Sequence, residues 1–263
     1  MAGKPVRGID FAFFRQLVLR QIRQDYLENL TGFAWLVLQP LMLLSVYSFV
    51  FTQIFKARVI DSGDVGFVPY LAVAFWPWTA FSESILKASN AISSNSALVS
   101  KVAFANELLP LATVTATFLM HGIGFIAVLL VLQLLGTTLH WLLLPYVIFL
   151  LFLLWLFACA IALFTSSLQV FVRDVAQILP PVMTFWFFTT PILYSLAMLP
   201  ATLGSVMALN PMTWFVVQLR DSLLFGAPEW NMGLVIALVL VPALFALSLA
   251  WFRKFSGHFE DFL

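Results

Sequence analysis

Six stretches of about twenty residues with almost no charge decide what this chain can become. They are Phe33–Phe55, Phe67–Leu86, Leu108–Leu135, Trp141–Thr165, Ile178–Leu199 and Met232–Phe252. A bilayer core is spanned by roughly 20 apolar residues in a helix. Each stretch is therefore read as a membrane span, and the chain as an all-α polytopic membrane protein. Only 10% of its 263 residues are charged, and the mean hydropathy is +1.02, where a soluble domain carries about 25% charge. No sizeable solvent-facing domain fits beside six spans, so residues 1–263 read as one transmembrane domain. The first span is too long for the apolar part of a cleaved signal and lacks a small-residue cleavage site, so it reads as an uncleaved anchor.

Lys and Arg set the orientation. Lys4, Arg7, Arg15, Arg20 and Arg23 precede the first span, and Lys87, Lys101, Arg173, Arg253 and Lys254 fall on the same side. Only Lys56, Arg58 and Arg220 fall opposite, and ten against three places both termini in the cytoplasm. No basic stripe suits nucleic acid. The single cysteine, Cys159, excludes an intrachain disulfide, and no His, Cys or Asp cluster has metal-ligand spacing. No nucleophile–base set stands out. The one Gly-Lys pair is Gly3-Lys4, far from any phosphate-binding loop pattern.

Two segments differ from plain spans. Residues 8–30 carry Phe11, Phe14, Val18, Ile22 and Tyr26 at helical spacing, with Arg15, Arg20, Arg23 and Glu28 largely off that stripe. This is the pattern of an amphipathic interfacial helix, a general membrane anchor or a docking element for a cytoplasmic subunit. Residues 195–230 are too apolar for an ordinary loop. Within them "MTWFVVQLRDSLLFG" reads as a helix stopped by Gly226 with Pro228 beyond, too short to cross and hence re-entrant or interfacial on the outer face. Residues 89–110 read as a Ser- and Asn-rich cytoplasmic turn, and 253–263 as a cytoplasmic tail.

The fifth span is the least regular. "FVRDVAQILPPVMTFWFFTTPILY" opens on Arg173-Asp174, with Asp174 and Gln177 at capping-box spacing. Pro180 and Pro181 are expected to break or redirect the helix, and Pro191 to kink or end it. Phe185-Trp186-Phe187-Phe188, with Thr184, Thr189, Thr190 and Tyr194, offers ring faces and hydroxyls without charge. Any one Phe in a chain with 28 of them is ordinary packing. As a set they suit an uncharged, hydroxyl-rich or amphipathic cargo better than an ion or a proton relay. Glu83 and Lys87, four apart, are expected to pair. Glu107 sits at a span boundary. His121 reads as a hydrogen-bonded packing residue, and Arg220-Asp221 as a local ion pair at the outer rim.

Several stretches, taken in order, resemble the permease subunit of polysaccharide-exporting ABC transporters of the type-2 superfamily, the O-antigen, capsule and teichoic-acid exporters. They are "GFAWLVLQPLMLLSVYSFVF", "YLAVAFWPWTAFSESI", "NSALVSKVAFANELLPLATV", "VFVRDVAQILPPVMTFWFFTTPILY", "LNPMTWFVVQLRDSLLFG" and "FRKFSGHFEDFL". Together they cover nearly the whole chain. Two places depart from the family pattern. An Arg-Tyr-Lys-x-Ser motif is replaced by Arg23-Gln24-Asp25-Tyr26-Leu27, and a Pro-Arg pair after Phe104 by Ala105-Asn106. Both departures fall on surfaces expected to meet the ATPase.

The resemblance implies a homodimer bound to a homodimer of separate ABC ATPase subunits. ATP and Mg would sit on that partner, leaving this chain neither cofactor nor catalytic residue. The cargo would be a polyprenyl-linked polysaccharide, most closely of O-antigen type, and the site a bacterial inner membrane. Channel lining would come from Trp35, Tyr47, Phe51, Thr184, Phe185, Phe188, Thr189 and Tyr194. Coupling to the ATPase would use Arg15, Arg23, Lys101, Arg173 and Asp174, and the outer mouth Asn210, Pro211, Arg220 and Asp221. The competing readings are a same-superfamily permease for small hydrophobic molecules or lipids, a membrane-embedded glycan-processing enzyme, and a passive channel.

Overall fold

A computed structural model describes residues 11–27, 32–54, 65–102, 104–228 and 232–262. Among them every regular element is helical. Long apolar runs leave no alternative in lipid, where each backbone N–H and C=O must be met within its own segment. The helices are α1 (Phe11–Ile22), α2 (Gly32–Phe49), α3 (Phe67–Ser89), α4 (Ser96–Lys101), α5 (Leu108–Leu134), α6 (Leu144–Phe171), α7 (Val175–Thr189), α8 (Ala201–Ala208), α9 (Pro211–Arg220) and α10 (Met232–Ser256). Wider π turns extend α1 to Leu27, α2 to Ile54 and α9 to Phe225, and a 3₁₀ turn at Trp141–Leu143 leads into α6.

Among the described residues three helices are long and apolar enough to cross a membrane: Leu108–Leu134, Trp141–Phe171 and Met232–Ser256. At 1.5 Å per residue, each exceeds the roughly 30 Å hydrocarbon layer. The chain is a membrane protein. α3, of 23 residues, packs against α5 and α6, and α10 lies along α6. The result is a helix with little of its own surface covered: Val235, Ile236, Val239 and Leu247 of α10 are all exposed. By contrast α3 is buried along most of its length, with Leu71, Val73, Trp76, Phe81 and Ile85 almost sealed. Lipid is as apolar as leucine, so close packing rather than apolarity sorts these faces. Gly124 of α5 shows how close: a Cβ there would stand 2.6 Å from Cζ2 of Trp76. The Trp76 indole N–H donates to the His121 carbonyl at 3.0 Å on the same helix.

α1 packs along α5. Its covered face is Leu17 and Val18, flanked by half-buried Phe13, Phe14 and Ile22, while Phe11 stays exposed. Of the expected stripe Phe14, Val18 and Ile22 are covered or half-covered and Phe11 is not; Leu17 and Phe13 widen the face, Phe13 in an edge contact with Phe104, centroids 5.4 Å apart. The side chain of Tyr26 lies outside the described residues.

α7 corrects two expectations. Pro180 and Pro181 do not break it; the helix runs unbroken from Val175 to Thr189. Proline's fixed φ is close to helical. The amides it removes are those facing the carbonyls of Ala176 and Gln177, in the outward-facing first turn. Asp174 occupies the N-cap position without a side-chain cap bond. Gln169, from the end of α6, takes that role. Its Oε1 accepts from the Ala176 amide at 2.8 Å while its Nε2 donates to the Arg173 carbonyl at 3.1 Å. A tertiary contact has outcompeted the local capping box.

Pro191 does end α7. Thr190 before it is extended, ψ 136°, as the steric demand of a following proline requires. At the close of α9, Gly226 is left-handed, φ 66°, and a Cβ there would lie 2.5 Å from Cδ2 of His140. A left-handed alanine costs about 1–2 kcal/mol, and the His140 ring must also move. Gly226→Ala is expected to lower the thermal midpoint in detergent clearly more than Gly136→Ala. Gly136 also has positive φ, 94°, but open space around it.

Candidate functional site

Polar and ring contacts gather at two ends of the bundle. At one lie the start of α1, the α3–α5 connection, the end of α6 and the end of α10. Contacts between named residues tie them. Arg20 donates to Asn95 at 3.3 Å, Arg253 to Glu107 at 2.8 Å, and the Phe171 ring meets Phe255, Phe259 and Phe262 at 5.9, 5.8 and 5.0 Å. Arg15, Arg23, Lys101, Arg173 and Asp174 all sit at this end, and all five are exposed. The structure therefore gathers the five expected coupling residues at one end of the bundle, outside its packed interior.

Behind that surface runs a polar chain that the sequence showed only in its central link. Gln21 donates to Asp25 at 2.9 Å, and Asp25 accepts from Lys87 at 3.1 Å. Lys87 pairs with Glu83 at 2.8 Å, and the other Glu83 oxygen lies 2.8 Å from Nε2 of His121. The expected Glu83–Lys87 pair is present, and His121 is the hydrogen-bonded packing residue it was expected to be. New are the two extensions, toward α1 through Asp25 and into α5 through His121. Asp25 falls at one of the two departures from the family pattern.

At the opposite end α7 stops, α9 begins and α3 starts. Asn210 joins the first two. Its Oδ1 accepts from the Met212 amide at 3.0 Å, capping α9 with Pro211 in the first turn, and from the Trp186 indole at 2.8 Å. Its Nδ2 donates to Thr190 Oγ1 at 2.9 Å and to the Thr189 carbonyl at 3.3 Å. Arg220 joins all three. Nε donates to the Tyr70 carbonyl at 2.9 Å, and the two terminal nitrogens to the Pro191 and Ile192 carbonyls, each at 2.6 Å. The guanidinium lies 3.5 Å from the Tyr70 ring centroid. Arg220 is only 2% exposed. This corrects its placement at the rim: it is a buried fork that meets carbonyls α7 leaves behind when Pro191 ends it.

The aromatic block divides by face. Phe187 is buried among Tyr47, Phe75 and Trp78, with centroids at 5.8, 6.0 and 5.9 Å. Trp186 meets Phe81 at 5.4 Å and Phe157 at 6.2 Å. Phe185 and Phe188 point away, 70% and 54% exposed, beside exposed Pro181 and Thr184. Thr184 donates to the Pro180 carbonyl at 3.0 Å, and Thr189 to those of Trp186 and Phe185 at 3.1 and 3.2 Å. Their oxygens are left to accept. Tyr194, beyond the break, donates back to the Phe188 carbonyl at 3.0 Å. The structure thus joins Thr184, Phe185 and Phe188 on one outward stripe, with Thr189 at its edge. It sets Tyr47 apart, facing inward against Phe187. The side chains of Trp35 and Phe51 lie outside the described residues.

Trp186, Tyr70 and Gln169 were not singled out as site residues. Trp186 was legible in principle: in a helix Phe185 and Phe188 share a face from which Trp186 and Phe187 turn away. Tyr70 and Gln169 owe their roles to partners with no sequence signal.

The pattern of the ABC-2 type transporter matches residues 12–224, from α1 to the turn after α9. The chain belongs to the ABC-2 type transporter family. It is 30% identical over 201 residues to a Myxococcus xanthus protein named O-antigen export system permease protein RfbA, an alignment covering 74% of each chain. A Klebsiella pneumoniae protein of the same name is 22% identical over 260 residues, covering 93% of this chain and 92% of its own. This ABC-2 chain is a transport membrane subunit.

Proposed function

We propose that this chain is the channel-forming permease of a polysaccharide exporter, carrying a lipid-linked glycan of O-antigen type across a bacterial inner membrane. Residues 1–263 act as one transmembrane domain. α2 with its extension, α3, and α7 with the segment beyond Pro191 join the three long helices to make six spans with both termini cytoplasmic. α1 lies at the cytoplasmic interface, and α8 and α9 re-enter from the outer face. Two copies assemble with two separate ABC ATPase subunits, which hold ATP and Mg. Arg15, Arg23, Lys101, Arg173 and Asp174 form the docking face for those subunits. Asn210, Pro211, Arg220 and Asp221 belong to the outer mouth.

The observation that carries this reading is the outward stripe of α7. Pro181, Thr184, Phe185 and Phe188 form an exposed face of two aromatic rings and a hydroxyl oxygen, with the Thr189 hydroxyl at its edge. An unpartnered hydroxyl in an apolar phase costs roughly 2–7 kcal/mol, and each sugar carries several. A glycan crossing lipid needs a continuous wall of this chemistry, and a second copy facing the stripe encloses one. The relatives' names supply the class of cargo.

The test is a clean deletion of the gene in a host with no redundant exporter, followed by fractionation of surface and intracellular glycan. Lipid-linked polymer is expected to accumulate inside while surface glycan disappears and synthesis continues. Unchanged surface glycan overturns the proposal and favours a permease for small hydrophobic molecules.

A further inference from the structure

Beside the Arg220 fork lies a cavity of about 170 Å³, lined by Tyr70, Ser195, Val217, Arg220, Asp221 and Phe225 among others. A water needs roughly 10–15 Å³ of such space, so the cavity admits a group of on the order of ten heavy atoms. That is the size of one sugar ring. The guanidinium carries five N–H donors. Its three bonds to carbonyls use one on each nitrogen, so each terminal nitrogen keeps one more. Asp221, next along the chain, brings acceptor oxygens to the same cavity, Ser195 a hydroxyl and Phe225 a ring face.

We propose that this cavity is a subsite for a single neutral monosaccharide unit, on the reading of the chain as a glycan exporter. Adjacent hydroxyls on a sugar donate to Asp221 and accept from Arg220, while the apolar face of the ring lies against Phe225. The Asp221 carboxylate disfavours an anionic group in the same space. Placement beside the break that ends α7 makes it a resting point at the far end of the α7 stripe. A site on an export path must release what it holds, so affinity in the millimolar range is expected.

The experiment uses the full chain in lipid nanodiscs and saturation-transfer NMR with methyl α-D-glucopyranoside and methyl α-L-rhamnopyranoside. Arg220 is left intact because it holds the fold. Wild-type protein is expected to saturate the ring protons of at least one glycoside. Asp221→Asn, which removes the charge, and Val217→Phe, which fills the cavity, are each expected to weaken that signal about tenfold with the chromatographic profile in detergent unchanged. No saturation in wild type, saturation retained in both variants, or displacement of the glycoside by an equal concentration of inorganic phosphate each overturns the subsite. None of these touches the export reading, which stands or falls on surface glycan in the deletion strain. Binding that follows the expected pattern supports the subsite even where deletion leaves surface glycan unchanged.

Discussion

Arg220→Ala is expected to yield almost no folded protein. The Pro191 and Ile192 carbonyls lie past the end of α7, where no helical amide continues the ladder, and each rests on one terminal nitrogen of Arg220 at 2.6 Å. The Tyr70 carbonyl takes the third bond. A buried polar group left without its partner costs about 1–3 kcal/mol, and hydrogen bonds to charged groups fall at the strong end of that range. Two or three such losses reach the scale of a whole domain's stability, about 5–15 kcal/mol. The cavity left by a guanidinium against the Tyr70 ring adds to this. Arg220→Lys rescues little, since an ammonium is a point charge that lacks the planar fork. The measurement is the monodisperse fraction of detergent-extracted protein on size-exclusion chromatography. Wild-type yield from both variants removes the claim that Arg220 holds α3, α7 and α9 together.

That dependence was not legible in the sequence. Arg220 stood beside Asp221 near an expected outer surface, and an ion pair was the local reading. Its partners lie 28, 29 and 150 residues away, and two of them are free to accept because Pro191 ends a helix. The spans themselves were legible. Leu108–Leu134 and Met232–Ser256 fall within a few residues of their expected bounds, because an uninterrupted apolar run offers lipid one solution. So were the stops of α7 and α9, since Pro191 and the left-handed Gly226 are signals read one residue at a time. Errors arose where local signals met tertiary competition. Asp174 had the right spacing for a cap, yet Gln169 from the preceding helix was already in place. Pro180 and Pro181 looked like breakers, yet fell where the helix surface was outward and two missing amides were tolerable.

The aromatic block supplies the second large effect, because its four rings are expected to separate folding from transport. Truncating Trp186 or Phe187 to alanine opens the packed interior between α3, α6 and α7, and Trp186 also gives up its bond to Asn210. In soluble cores such changes cost about 3–5 kcal/mol. Inside lipid the reference state is less unfavourable, so roughly 2–3 kcal/mol is expected. These two variants should lose thermal stability in detergent, and their surface glycan should fall only in proportion to the protein that survives. Phe185→Ala with Phe188→Ala is expected to do the reverse. Both rings are largely exposed, so folded yield and thermal midpoint stay near wild type. What is lost is the apolar part of a wall along which sugar faces slide, with each ring contributing about 0.5–1.5 kcal/mol, and the double variant should export roughly 5- to 150-fold more slowly. Lipid-linked glycan then accumulates inside cells that contain normal amounts of permease. A double variant that exports at the wild-type rate would assign the outward stripe of α7 to lipid contact and move the conduit to another face. One that is itself unstable would show instead that a second copy buries these rings as part of the fold, and that the stripe is interface before it is path.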